Sequence, residues 1–443
     1  MDSGALRVRR PQRVHIYTDS RPPDPDGCGP GLVICSYIQA YLDLGCEVEF
    51  VFIRTRDKTP SSAQHFKDIV CTVVDARNQT PSRYARLAYW AGRPRKLSWQ
   101  LLYPSRNVLL QEVKNRISKD DRALHVFYSL VTANVIPSLP KARTIWVCPD
   151  IESEYESHDF AVNQELENRT PYAWEKRQLR RLLRLEREVA RRSGLVLCVS
   201  RGEATQIAEQ WSVPHAAHLP MSIASSDSRV VPEKPGSSEE LRLLHIGVLE
   251  NPACFTSLEF LLTKVFPLLD AETVSRLKLE VAGKSDIDGA WFKAIRELAR
   301  PYPMVRFSGF VEDIRTVYRR SDLQVVASTQ ATGTRTRVVE SWAIGMPVLS
   351  TTVGAGGVDG VEPGRNILIA DDPRDFARIL RELVHAPNRL KEIATAAHRT
   401  YEALYSRRAV ATALRKLLNS RFGMQLPAVS TLLENNQGLN DVS

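Results

Sequence analysis

Residues 323–352, LQVVASTQATGTRTRVVESWAIGMPVLSTT, constrain the fold more tightly than any other stretch of this chain. A short β-branched run over 323–328 reads as a strand, and the polar loop through Gly333 and Thr334 leads into a helix carrying Arg335, Arg337 and Glu340. Gly345 falls where a helix C-cap belongs, and Pro347 opens the next apolar strand. A loop feeding a helix N-terminus collects unpaired N–H groups at the positive end of the helix dipole, which suits a phosphate. Two arginines add fixed charge that can grip phosphate oxygens in pairs. One turn further in, Glu340 can accept hydrogen bonds from a ribose diol. Phosphate and diol side by side describe a nucleotide. The same residues also suit a solvated helix start, with Glu340 complementing the dipole of the first turn.

The surrounding pattern favours the first reading, because several spaced segments resemble the donor-binding half of family-4 (group 1) glycosyltransferases. LRLLHIGVLENP (241–252) resembles the first strand and glycine turn of that domain, and LKLEVAGKSD (277–286) its second strand and loop. VRFSGFVEDIRTVYRRSDLQVVAS (305–328) and GTRTRVVESWAIGMPVLSTTVGAGG (333–357) follow two further signatures of the family. The match is close over roughly 240–400 and loose over 12–220. It implies an α/β chain of two Rossmann-like domains facing across a cleft (the GT-B fold), with a C-terminal helix crossing back to the N-terminal domain. It also implies a donor site drawing on Gly247, Gly283, Lys284, Gly309, Phe310, Gly333, Thr334 and Glu340, with Arg335 and Arg337 neutralising the departing nucleoside diphosphate.

Three departures from the family pattern bear on chemistry. Thr332 stands where the first of two glutamates usually contacts the transferred sugar. The turn after the first donor-domain strand, 247–251, is uncharged but for Glu250, where an arginine and a lysine are usual. Pro149 and Phe127 replace two histidines, which leaves Asp150 as the residue matching the family's acidic position. By resemblance, the reaction retains anomeric configuration and the leaving phosphate accepts the acceptor's proton.

A chain of 443 residues exceeds one hydrophobic core. The N-terminal half scans as strand VHIYT (14–18), a proline- and glycine-rich loop (21–31), an amphipathic segment (32–45) and strand EVEFVFI (47–53), one β-α-β unit. Further strands are expected at 123–128, 144–149 and 195–200, the last preceded by a helix over 174–193. By resemblance, Gly27, Gly29 and Gly31 approach the donor phosphates, since glycine lets a backbone come close; a surface turn is the alternative. The reading divides the chain into an acceptor domain (12–224), a linker (225–240), a nucleotide-sugar domain (241–405), a crossover helix (406–422) and a disordered tail (423–443).

No apolar run reaches the length of a membrane span. The basic start (Arg7, Arg9, Arg10, Arg13) leads into a strand rather than a signal segment, and the seven scattered cysteines show no C-x-x-C spacing. A cytoplasmic protein with reduced thiols is therefore expected, without cofactor or metal, the nucleotide-sugar being substrate. The net charge of +9 draws attention to 82–107, where Tyr89, Trp90, Trp99 and Tyr103 interleave with cations. That segment suits an anionic membrane surface at the inner face, where lipid-linked acceptors reside, and equally a solvated face; no nucleic-acid fold accompanies it. Two rivals remain: a nucleotide-sugar epimerase of the same fold, and a catalytically silent nucleotide-sugar-binding module. The acceptor, lipid-linked or a polysaccharide, is open at this stage.

Overall fold

The computed structural model describes residues 11–19, 29–54, 66, 69–76, 105–140, 143–168, 170–223, 240–330, 335–386 and 388–429. Within them the chain forms two parallel sheets. The first contains β1 (Arg13–Asp19), β2 (Glu47–Arg54), β3 (Val70–Asp75), β4 (Leu124–Tyr128), β5 (Arg143–Cys148), β6 (Leu195–Cys198) and β7 (Ala216–His218), in the order β3-β2-β1-β4-β5-β6-β7. The second contains β8 (Leu241–Ile246), β9 (Leu277–Ala282), β10 (Val305–Gly309), β11 (Leu323–Val326), β12 (Val348–Ser350) and β13 (Leu368–Ile369), in the order β10-β9-β8-β11-β12-β13.

The central strands β4, β6 and β11 are buried at every position. Their near-continuous apolar sequences follow from helices covering both faces of a parallel sheet. In each sheet the order reverses next to the first strand, between β1 and β4 and again between β8 and β11. Such reversals open a crevice at the carboxyl ends of the strands, where ligands of open α/β sheets bind.

The C-terminal helices occupy Pro373–His385, Asn388–Leu404 and Arg407–Phe422. The last returns to the first domain and buries Val410, Ala411, Leu414 and Leu418. Its first residue anchors it, because Arg407 Nε donates to Asp43 Oδ2 at 2.6 Å, on the helix Gly29–Asp43. At its far end Arg421 donates to the Gly194 carbonyl, and a Cβ on Gly194 would lie 3.0 Å from the Phe422 ring. The expected crossing helix is therefore present.

Two expectations change. Gly29 and Gly31 belong to the first turn of the helix Gly29–Asp43, with Pro30 between them, so the helix begins inside the stretch expected to be loop. Proline is tolerated at the start of a helix because the first N–H groups lack partners in any case. Gly27 lies outside the described residues, as does most of 82–107. Gly423 caps the last helix in the left-handed region, yet Met424 and Val429 beyond it are buried in the core, so order persists where disorder was expected. Residues 430–443 are outside the described set.

The two domains touch directly. Val162, on the helix Glu152–Leu166 of the first domain, is buried in the core of the second, and Trp291 Nε1 donates to Asn163 Oδ1 at 3.0 Å. Across the same junction Arg201 grips both carboxylate oxygens of Asp359, at 3.1 and 2.6 Å.

Candidate active site

Three glycines form a shelf at the carboxyl edge of the second sheet. Gly247 follows β8 with φ +152°, Gly283 follows β9 with φ +147°, and Gly309 closes β10 with φ +65°. The loops are tied edge to edge: Gly247 N donates to Ala282 O at 2.9 Å, and Gly283 N donates to Gly309 O at 2.8 Å. A Cβ on Gly283 would stand 2.0 Å from the Gly247 carbonyl oxygen, so the approach of these two loops requires glycine. Lys284 beside the shelf is exposed, and Phe310 at its far edge is 72% exposed.

The helix Thr336–Ile344 starts at the carboxyl end of β11, on the opposite side of the strand-order reversal. Arg335 is its N-cap, and its side chain makes no capping hydrogen bond to the first amides, whereas Asn251, Asp270, Asp313, Asp372 and Ser406 cap other helices. Gly345 ends it at φ +78°, as its sequence position indicates. Gly333 and Thr334, with the rest of 331–334, lie outside the described residues.

Arg335 is buried, 8% exposed, and its Nε has no hydrogen-bond partner. Burial weakens its hold on its proton, while the charge of Asp150 in the first domain opposes that effect. Arg337 reaches back over the shelf, its Nη2 donating to Cys254 Sγ at 3.0 Å, and its Nη1 is buried without a partner. Below it, burial holds His245 down to about 3, so the imidazole is neutral at pH 7. Burial also raises the Glu340 carboxyl to about 7, against the opposing pull of Arg337. The arginines are thus only partly compensated, which is costly unless an anion joins them.

On the facing domain, Asp150 lies in the turn between β5 and the helix Glu152–Leu166, whose N-cap Ile151 has no capping side chain. Two buried glutamates take the orphaned donors instead. Glu203 Oε1 accepts from Ile151 N at 3.1 Å, and Glu186 accepts from Ser153 through both its amide (3.2 Å) and its hydroxyl (2.5 Å). Burial, reinforced by Asp150, raises Glu203 to about 8, and burial raises Glu186 to about 7.

The structure sets the Arg337 guanidinium against Gly247, with Arg335 and Glu340 in electrostatic reach of Arg337 and Asp150 acting on Arg335, while Gly29 and Gly31 lie in the first turn of a helix. Sequence reasoning missed Glu203 and Cys254. Glu203 reads as an ordinary capping partner of Ser200, whose hydroxyl accepts from Glu203 N at 3.1 Å. Among the described residues no group of three or more His, Cys, Asp or Glu could hold a metal ion.

A carboxyl whose proton is held more tightly when folded stabilises the fold below its unfolded pKa, and that contribution declines as pH rises to the folded value. For Glu203 the window runs from 4.5 to about 8. Stability should fall across it, and Glu203→Gln, which keeps an acceptor for Ile151 N, should flatten the decline. A tenfold change in proton affinity is worth about 1.4 kcal/mol, or roughly 3–6 °C in Tm for a large domain. Melting curves between pH 5 and 8.5 measure it; identical slopes in parent and variant would place the proton elsewhere.

Residues 240–386 match the family described as Glycosyl transferases group 1. A 120-residue stretch is 34% identical to the lipopolysaccharide core biosynthesis glycosyltransferase LpsE of Rhizobium meliloti, covering 26% of this chain and 34% of that protein. The chain thus spans about a third of the length of that curated relative. The fold is similar to Anabaena HepE in complex with UDP (TM-score 0.62, 14% identity, 92% of this chain and 100% of that one). It is also similar to sucrose-phosphate synthase from Thermosynechococcus elongatus (TM-score 0.66, 16% identity, 93% and 99%). Residues 240–386 are a group 1 glycosyltransferase domain, carried in a chain with the two-Rossmann-domain GT-B fold.

Proposed function

We propose that this protein is a glycosyltransferase moving a sugar from a nucleotide-sugar to an acceptor hydroxyl in polysaccharide or glycolipid assembly. The observation that carries the reading is the arginine pair, Arg335 buried and Arg337 half-buried, each with one buried unpartnered nitrogen, beside a glycine shelf and a helix start that its N-cap residue leaves uncapped. A diphosphate supplies the charge they lack, and the Gly247 and Gly283 backbones let it approach closely. Glu340, one turn into the helix, is the acceptor for the ribose hydroxyls.

In the reaction, the bond between the anomeric carbon and the diphosphate oxygen breaks as the acceptor oxygen bonds to the same carbon. The acceptor's proton passes to the departing diphosphate, whose growing charge Arg335 and Arg337 stabilise; such stabilisation is commonly the largest electrostatic contribution to a rate. Closure of the cleft brings Asp150 over the donor, where it orients the acceptor hydroxyl, a positioning effect that supplies part of the acceleration. Retention of configuration and independence from metal are part of this proposal. So are a cytoplasmic location and contact with an anionic membrane surface, for which the basic and aromatic sequence of 82–107 is the support.

The relatives point the same way: HepE structures hold UDP and UDP-glucose, and LpsE is named for lipopolysaccharide core biosynthesis. A silent binding module is the second reading, favoured by the absence of basic residues from the 247–251 turn and by Thr332 standing where the family usually carries a glutamate. Thermal stabilisation by a panel of nucleoside diphosphates, followed by donor turnover with and without candidate acceptors, separates the two. One diphosphate at 100 times its Kd should add about 2.7 kcal/mol of stability. Its sugar donor should then release that diphosphate only when acceptor is present. Stabilisation without release under any acceptor favours the silent module, and absence of stabilisation by all of them contradicts the proposal.

A further inference from the structure

We propose that Cys254 is a positioning residue for the diphosphate, holding Arg337 in place with an uncharged acceptor; the inference rests on the donor-site reading above. Cys254 lies in the first turn of the helix Pro252–Phe260 and is 1% exposed. Its Sγ accepts from Arg337 Nη2 at 3.0 Å, bridging two helices that face each other across the glycine shelf. The shelf itself makes room for this contact. A Cβ on Gly247 would lie 2.3 Å from Cys254 Sγ and 3.3 Å from each terminal nitrogen of Arg337.

A long arginine side chain loses much rotamer freedom when fixed, so an anion site gains when the guanidinium is held before the ligand arrives. The usual support for an arginine is a carboxylate, but a carboxylate would also cancel the charge the ligand is meant to meet. A thiol is a weak, neutral acceptor. It orients one edge of the guanidinium and leaves Nη1, buried and unpartnered, for the anion. Independent of the cysteine, the neighbouring Arg335 is 8% exposed with an unpartnered Nε, a second buried donor awaiting an anion at this place. The chemistry assigned to the occupant is a diphosphate.

The test is calorimetric binding of UDP, inorganic pyrophosphate and uridine to the full chain and to Cys254→Ala and Cys254→Ser. Loss of the weak hydrogen bond to sulfur should weaken UDP and pyrophosphate binding of Cys254→Ala about five- to tenfold, leave uridine unchanged, and be largely recovered in Cys254→Ser. Should Cys254→Ala fail to fold, Cys254→Val, which fills the space without an acceptor, carries the same comparison. Equal UDP affinity in parent and Cys254→Ala would overturn the inference, as would equal losses for UDP and uridine, since a purely structural cysteine would act on both. A parent that binds neither UDP nor pyrophosphate would instead refute the donor-site reading, and the inference with it.

Discussion

Replacing Arg337 with methionine should lower sugar transfer by about 100- to 1,000-fold, the usual cost of removing one preorganised donor from a developing charge. Folding stability should hold or rise. The two expectations belong together. A half-buried arginine with one buried, unpartnered nitrogen and only a partly ionised carboxyl nearby is a burden on the empty protein. Exchange of an under-compensated charge for an apolar side chain of similar length removes the desolvation cost that the charge carries. Arg335→Met should behave likewise, and the double variant should lose little more than the worse single one if the arginines act on one diphosphate. Donor turnover and thermal melting on the same samples check this. A Tm that falls with activity would make the arginines structural.

Gly283→Ala should destabilise the second domain by roughly 3–5 kcal/mol, combining steric overpacking with a left-handed-region backbone. The new methyl would meet the Gly247 carbonyl oxygen at 2.0 Å and its carbon at 2.6 Å, both backbone atoms that can retreat only if β8 and β9 separate. Gly309→Ala is the control. Its φ of +65° is also unfavourable for alanine, but nothing lies within 4 Å of the added atom, so its cost should be only about 1–2 kcal/mol. The difference, read by denaturant unfolding, isolates the tight approach from the backbone strain. Equal costs would mean that the two loops do not meet as described.

Much of this architecture is legible in the sequence because its signals are local. The run 323–328, the arginines at the start of the next helix and Gly345 at its end lie within about two dozen residues, and each reports a short-range rule: β-branching, an unpaired N-terminus, a left-handed cap. The strands at 14–18, 47–53 and 195–200 are readable for the same reason. What escaped depends on distance or on ambiguity. Cys254 and Arg337 stand 83 positions apart, and nothing local to either shows the contact. Glu203 satisfies a cap rule completely, which conceals its second task of holding Ile151 beside Asp150. Gly29-Pro30-Gly31 has the composition of a loop, yet its glycines carry no left-handed backbone and the segment simply begins a helix. Burial of Met424 and Val429 likewise arises from the surface the crossover helix presents, which no window on the tail itself contains.

The most direct measurement is a crystal structure with UDP bound. The account predicts the diphosphate above Gly247, within hydrogen-bond distance of Arg335, Arg337 and the first amides of the helix Thr336–Ile344, with the ribose at Glu340. Density for UDP at any other place, or both guanidinium groups turned out of the crevice between the sheets, would contradict it.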